Sequence, residues 1–192
     1  GFGGSQAVKR LSDAVREALP DVVARCYVLH ITGESAIDEA EALRASLSPE
    51  HQDRYRPYAF LREDMDAALS AADLLVGRAG SSTLAEAAAA GLPMIVVPYP
   101  HAAAHQKANA AEMVEAGAAD LVDDEDLDGD TLRAACDLLF DQRLAAMSGA
   151  ALSVARPGAA AASAHLLEIL AAREPLPSQD ELDELTRAAS TK

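Results

Sequence analysis

Apolar residues fall along this chain in two rhythms. Near the start, Val8, Leu11, Val15 and Leu19 recur at the spacing that gives a helix one inward face. Elsewhere the apolar residues come as short continuous runs, at 24–31, 73–77, 94–97 and 119–122, as in strands buried on both faces. A further strand is predicted around 56–60. Helices are predicted between them over 34–47, 64–72 and 105–116, and only helices follow Asp130. An alanine-rich helix, capped by Ser82 or Ser81, ends at Gly91. Strands alternating with helices predict an α/β fold, a Rossmann-like parallel sheet with helices on both faces. Right-handed crossovers then gather the strand-to-helix loops on one edge, and ligands of such sheets bind outside the strands' carboxyl ends.

Gly1-Phe2-Gly3-Gly4-Ser5-Gln6 reads as the last residues of a strand entering a glycine turn. Most of that strand is missing, so the chain is expected to be a fragment. Residues 1–172 are expected to form one domain. Residues 173–192 form an acidic tail behind Pro175 and Pro177. The capping-box spacing of Ser178 and Glu181 permits a short helix there with Leu182 and Leu185 on one face, and disorder is the alternative.

Composition narrows the chemistry. Of 192 residues 50% are hydrophobic but only 4% aromatic, and Trp is absent, so the core must be built from Ala, Leu and Val. A formal charge of −15 argues against a nucleic-acid partner and against adhesion of this segment to anionic lipid. No apolar run approaches the roughly 20 residues that span a bilayer, and the segment is expected to be soluble. Cys26 and Cys136 lack metal-ligand or redox spacing, so buried, reduced thiols and a cytosolic compartment are expected. The run from Asp124 to Gly129 opens like a calcium loop, but its ninth and twelfth positions are Leu132 and Ala135, so a solvated acidic turn is expected. There is no G-x-S-x-G elbow and no aspartate motif for a metal, and no cofactor is expected.

Two stretches join a strand end, glycine and hydroxyl residues to a helix. In the first, Gly3-Gly4-Ser5-Gln6, backbone N–H groups and the helix dipole could face an anion, or the stretch could be a simple tight turn. The second, RAGSSTLAE, is richer. Gly80 lets the backbone approach a phosphate, Ser81, Ser82 and Thr83 offer donors, Arg78 offers charge, and Glu86 offers a carboxylate to vicinal hydroxyls. Two helix amino-termini on one sheet edge suit a diphosphate. A capped helix with an ordinary first-turn Glu is the plain alternative. Further on, Gln106 and Asn109 stand three apart, so two amides share a helix face, which suits neutral sugar hydroxyls.

The ordered set GGSQ, His30-Ile31-Thr32-Gly33, Phe60 ahead of Glu63-Asp64-Met65, RAGSSTLAEAAAAGLPMIVVPYP and HQKANA resembles the MurG family of glycosyltransferase family 28. The resemblance spans residues 3–140. It implies one half of a GT-B glycosyltransferase, the half that binds UDP-GlcNAc. By that resemblance Glu86 binds the ribose hydroxyls, Ser5 and Gln6 the phosphate and sugar region, and Ser81, Ser82 and Thr83 the diphosphate. Phe60 flanks the uracil and the Leu61 backbone reads its edge. Gln106, with Asn109 and His105, holds the N-acetylglucosamine. The sequence departs from the family after GGSQ, where the usual Gly-Ala and a later Asn are replaced by Ala7, Val8 and Ser12. A Cβ at Ala7 narrows the turn.

Transfer from a nucleotide sugar requires a base for the acceptor hydroxyl and stabilisation of the departing diphosphate. The chain offers only the second, through helix termini and Arg78, with no metal. The resemblance implies that a missing amino-terminal domain supplies the base, the lipid-linked muramyl-pentapeptide site and any membrane contact, with inversion at the anomeric carbon. The parent protein would then be peripheral on the cytoplasmic face of the cell membrane. Two other assemblies fit the same residues: a donor subunit of a split GlcNAc transferase, and a non-catalytic nucleotide-sugar sensor.

Overall fold

The computed structural model describes residues 5–100 and 103–188, with side chains described over 9–100 and 105–188. The chain opens with α1 (Ser5–Val23), which turns Val15 and Leu19 into one apolar cluster and Leu11 into another. Val8 lies outside the described side chains. After α1, the N–H groups of Arg25 and Cys26 both bond the Val22 carbonyl. That turn uses up the residues expected to begin a strand at 24, and β1 runs only over Val28–Ile31.

Gly33, at φ +77°, occupies the left-handed region that glycine tolerates best. The helix expected over 34–47 divides into a 3₁₀ turn, Glu34–Ala36, and α2 (Ile37–Ser46), because Ala36 at φ −122° and ψ 2° leaves the helical backbone. A short α3 (Pro49–Gln52) precedes β2 (Tyr55–Tyr58), which pairs in parallel with β1. Then follow α4 (Met65–Ala71), β3 (Leu75–Gly77), α5 (Ser81–Ala89), β4 (Met94–Val96), α6 (Ala103–Glu115) and β5 (Ala119–Leu121). The chain continues as helices only: α7 (Gly129–Leu138), α8 (Arg143–Val154), α9 (Ala159–Ala172) and α10 (Gln179–Arg187). Both partners of the Ser178–Glu181 capping box are in place at the start of α10, and α10 packs on α9.

The strands pair as two parallel groups, β1-β2 and β3-β4-β5. One helical layer serves both. Val15, Leu19 and Val23 of α1 and Ala40 of α2 pack on Val28 and Tyr55, with Leu132 of α7 in the same cluster. On that same face of the other group, Ile95 and Val76 meet Ala135 and Leu138 of α7, and Val97 meets Leu11 and Ala14 of α1. The opposite face of β3-β4-β5 buries Leu75, Met94, Val96 and Ala119 against α5, α6, Leu69 of α4 and Ala151 of α8. Burying each larger aliphatic side chain there contributes about 1.5–3 kcal/mol, and the alanines let the helices approach closely.

These layers fix the winding. The connection from β1 through α2 to β2 uses the α1 face, whereas β3-α5-β4-α6-β5 uses the other. Right-handed crossovers on opposite faces advance in opposite directions across a sheet. The step from β2 to β3 passes through α4 on the second face, so the handedness rule orders the strands β2, β1, β3, β4, β5, with no pairing between β1 and β3 among the described residues. Direction therefore reverses between β1 and β3, the position where α/β sheets place their ligand crevice.

Two polar pairs lie inside. His30 Nδ1 and Tyr55 Oη are 2.8 Å apart, and burial pushes the imidazole down to about 4 and the phenol up to about 12. Cys26 and Cys136 are free and buried, with facing Sγ atoms, and burial pushes the Cys26 thiol up to about 12. Among the described residues no helix is long and apolar enough to cross a membrane.

Candidate functional site

The carboxyl end of β3 runs through Arg78 and Ala79 into α5. Gly80 is the N-cap, in extended backbone at φ −72°, and its carbonyl accepts from Leu84 N at 3.0 Å. No side chain caps this terminus, which corrects the expectation of a serine cap: Ser81 already lies inside the helix, and Ser81 and Ser82 point outward, exposed. The first-turn N–H groups of Ser81, Ser82 and Thr83 thus keep no acceptor among the described residues. They converge beyond the strand ends, where the helix dipole favours an anion. Leu84, Ala87 and Ala88 anchor the buried face of α5, which leaves Glu86 exposed on its outer side, with no ion pair among the described residues.

The neighbouring helix braces this loop. Asn109 Nδ2 of α6 donates to the Ala79 carbonyl at 3.2 Å, and Gln106 Oε1 accepts from Tyr99 N at 2.8 Å. The two amides face the same side as expected, but each spends one group on a strand-end loop. The Gln106 Nε2 and the Asn109 Oδ1 make no hydrogen bond among the described residues. His105 is exposed one residue before Gln106.

Arg78 is committed to the scaffold more than its sequence context suggests. Its Nη1 donates to Asp124 Oδ1 at 2.5 Å and to the Val97 carbonyl at 3.3 Å, and the guanidinium lies 5.4 Å from the centre of the Tyr99 ring. Asp124 also meets Arg10, whose Nη1 donates to its carbonyl oxygen at 2.6 Å and whose Nε lies 3.6 Å from Oδ2. Two guanidinium groups therefore share one carboxylate. The pairing ties α1 and the end of β3 to the turn that follows β5. Arg10 and Asp124 were not among the residues singled out from the sequence. Asp124 was read as part of a solvated acidic turn, yet its side chain is only 15% exposed, because the pairing partner lies 46 residues away.

Phe60 and Leu61 follow β2, the outer strand of the other group; Phe60 is 54% exposed, a free aromatic face on the same edge of the fold. The backbone of Ser5 and Gln6 forms the first turn of α1, while their side chains, and those of Ala7 and Val8, lie outside the described residues, as does His101. Ser12, which replaces the family's Asn, has a buried Oγ with no hydrogen-bond partner among the described residues. The structure thus brings Arg78, Gly80, Ser81, Ser82, Thr83, Gln106 and Asn109 together directly. It sets Phe60, Leu61 and the start of α1 on the same edge without joining them to that cluster.

The sequence matches the glycosyltransferase family 28 C-terminal domain over residues 2–165. The chain belongs to that family. Similar relatives include the UDP-N-acetylglucosamine--N-acetylmuramyl-(pentapeptide) pyrophosphoryl-undecaprenol N-acetylglucosamine transferase of Acidothermus cellulolyticus. It is 41% identical over 174 residues, covering 88% of this chain and 46% of the relative. The protein of the same name from Corynebacterium diphtheriae is 41% identical over 143 residues, covering 73% of this chain and 37% of the relative. The chain spans less than half the length of these relatives. Among solved structures, Acinetobacter baumannii MurG superimposes with a TM-score of 0.62 at 27% identity, over 97% of this chain and 50% of that one. The glycosyltransferase VinC, solved in complex with DTDP, shares the fold at a TM-score of 0.56 and 22% identity, over 76% of this chain and 33% of that one. The family 28 fold is thus the α/β half described above.

Proposed function

We propose that this chain is the donor-holding half of a GlcNAc transferase that acts on UDP-GlcNAc and the lipid-linked muramyl-pentapeptide of peptidoglycan synthesis. The observation that carries the reading is the uncapped amino-terminus of α5, flanked by the outward carboxylate of Glu86 and by the amides of Gln106 and Asn109. In this reading the N–H groups of Ser81, Ser82 and Thr83 hold the diphosphate and stabilise the charge that builds on it as the glycosidic bond breaks. Glu86 accepts from the ribose hydroxyls, Phe60 and the Leu61 backbone flank the uracil, and Ser5 and Gln6 meet the phosphate and sugar region from α1. Gln106, Asn109 and His105 hold the sugar. Arg78 and Arg10, paired on Asp124, position the loop.

The base and the acceptor site belong to the other half of the protein, which is also the part that meets the membrane at its cytoplasmic face. The chain alone should bind donor with little or no transfer. No metal enters the proposed scheme.

Thermal unfolding with UDP-GlcNAc, UDP and ADP-glucose tests it. At about 100 times its Kd, a ligand raises stability by roughly 2.7 kcal/mol. The UDP ligands are expected to raise the melting temperature, ADP-glucose much less, and Glu86→Ala to remove most of the gain. Equal stabilisation by ADP-glucose, or an unchanged response in Glu86→Ala, would sink the assignment.

A further inference from the structure

We infer that Cys26 and Cys136 form a redox-responsive modification site, which a peroxide closes into a disulfide that locks α7 against the end of α1.

The geometry is set by more than the thiols. Along α1 and the turn after it, Glu17, Asp21 and Arg25 are evenly spaced, and so are Gly129, Arg133 and Asp137 along α7. Each of the first three holds its counterpart 112 positions on. Gly129 N donates to Glu17 Oε2 at 3.3 Å, Arg133 Nε to Asp21 Oδ2 at 2.8 Å, and Arg25 Nη1 to Asp137 Oδ1 at 2.5 Å. The two segments therefore run side by side in a fixed register, and Cys26 and Cys136 sit next to its last tie.

The backbone that carries Cys26 is also braced. Its N–H bonds the Val22 carbonyl at 2.8 Å, and Arg54 Nη1 donates to the Val23 and Ala24 carbonyls at 3.1 and 2.9 Å. Between these fixed backbones the two Sγ atoms face each other at 2.7 Å. A disulfide bond is about 2.05 Å long, so closure asks for an adjustment of side chains and leaves the backbones where they are.

The thiols are 8% and 4% exposed, an approach that suits a small peroxide better than a bulky disulfide. Burial pushes the Cys26 thiol up to about 12, against the pull of the Arg25 and Arg54 guanidinium groups, so thiolate is scarce and the reaction is slow. One thiolate attacks a peroxide oxygen; the O–O bond breaks, leaving a sulfenic acid and hydroxide. The facing thiol attacks that sulfur, the S–O bond breaks, and water departs. The sulfurs give up two electrons, peroxide takes them, and both thiol protons end in water. The new bond closes a loop across 110 positions, and closing so long a loop restricts chiefly the unfolded chain.

The inference does not depend on the donor reading and is tested on the chain without ligand. The folded, reduced chain is held with hydrogen peroxide at neutral pH for hours, then alkylated in denaturant and weighed intact. The expected product is a monomer lighter by two hydrogens, with neither cysteine alkylated and the peptides of Cys26 and Cys136 cross-linked. Dithiothreitol should restore both thiols. The oxidised chain should show an unfolding constant at least about tenfold smaller than the reduced chain, a gain absent from Cys26→Ala and Cys136→Ala treated alike. Cross-linking only in denaturant, a bond between two chains, or over-oxidation of one cysteine with the other left free overturns the inference. So do thiols that peroxide leaves unchanged, and a cross-linked chain no more stable than the reduced one.

Discussion

At the scale of single residues, the buried His30 makes stability depend on pH in a definite direction. Its folded value near 4 lies below the ordinary value of 6.5, so between those limits the unfolded chain binds the proton that the folded chain refuses. Stability is full above about pH 6.5 and falls as the solution is acidified toward 4. Between pH 7 and pH 5, where most carboxylates stay ionised, the loss should be on the order of 1–2 kcal/mol. Melting temperatures across that interval should drop in the parent and stay nearly flat in His30→Asn, and a parallel fall in both would assign the effect elsewhere. The sequence made the loop chemistry around Gly80 legible because glycine, hydroxyl residues and a carboxylate were contiguous. It concealed the Arg78–Asp124 pair, since each residue alone is compatible with solvent and only folding across 46 positions makes them partners.

At the scale of elements, the strands and most helices could be read from apolar runs and periodicity, with differences where backbone geometry decides. The α5 start moved because Gly80, in extended backbone, supplies the N-cap carbonyl itself and puts both serines in the first turn of the helix. The α2 start moved because of the break at Ala36. The tail offered helix or disorder equally, and what resolves it is a contact invisible in sequence: Gly158 N donates to the Thr186 carbonyl at 2.8 Å, seating α10 on the start of α9. A Cβ at Gly158 would run into the carbonyl oxygens of Leu185 and Ala188. Backbone cannot yield as a side chain does, so Gly158→Ala should unseat α10 at a cost of about 1–3 kcal/mol to that contact. Limited proteolysis is expected to cut between α9 and α10 faster in this variant while the sheet core stays intact. Equal cleavage rates would mean that α10 gains nothing from the seat.

At the scale of the whole molecule, alternation of strands and helices was enough to announce a parallel α/β fold. The split of the strands into two groups was not announced, because apolar runs mark a strand without naming its neighbours. Helix faces did that, and the seam between α1 and α7 holds the two groups under one layer. That seam joins parts of the chain far apart in sequence: Gly129 N donates to Glu17 Oε2 at 3.3 Å across 112 positions. Closing so long a loop costs entropy before any contact rewards it, whereas β3, α5, β4, α6 and β5 meet as near neighbours. Truncating Met94, in the middle of that local group, should therefore slow refolding. Leu132→Ala, in the seam, should cost about 2 kcal/mol expressed almost wholly as faster unfolding. Stopped-flow rates in denaturant would separate the two, and equal partitioning in both variants would contradict the order proposed. How long a folded molecule survives between unfolding events would then be set by a joint between two helices, while how quickly it forms would be set by the strands.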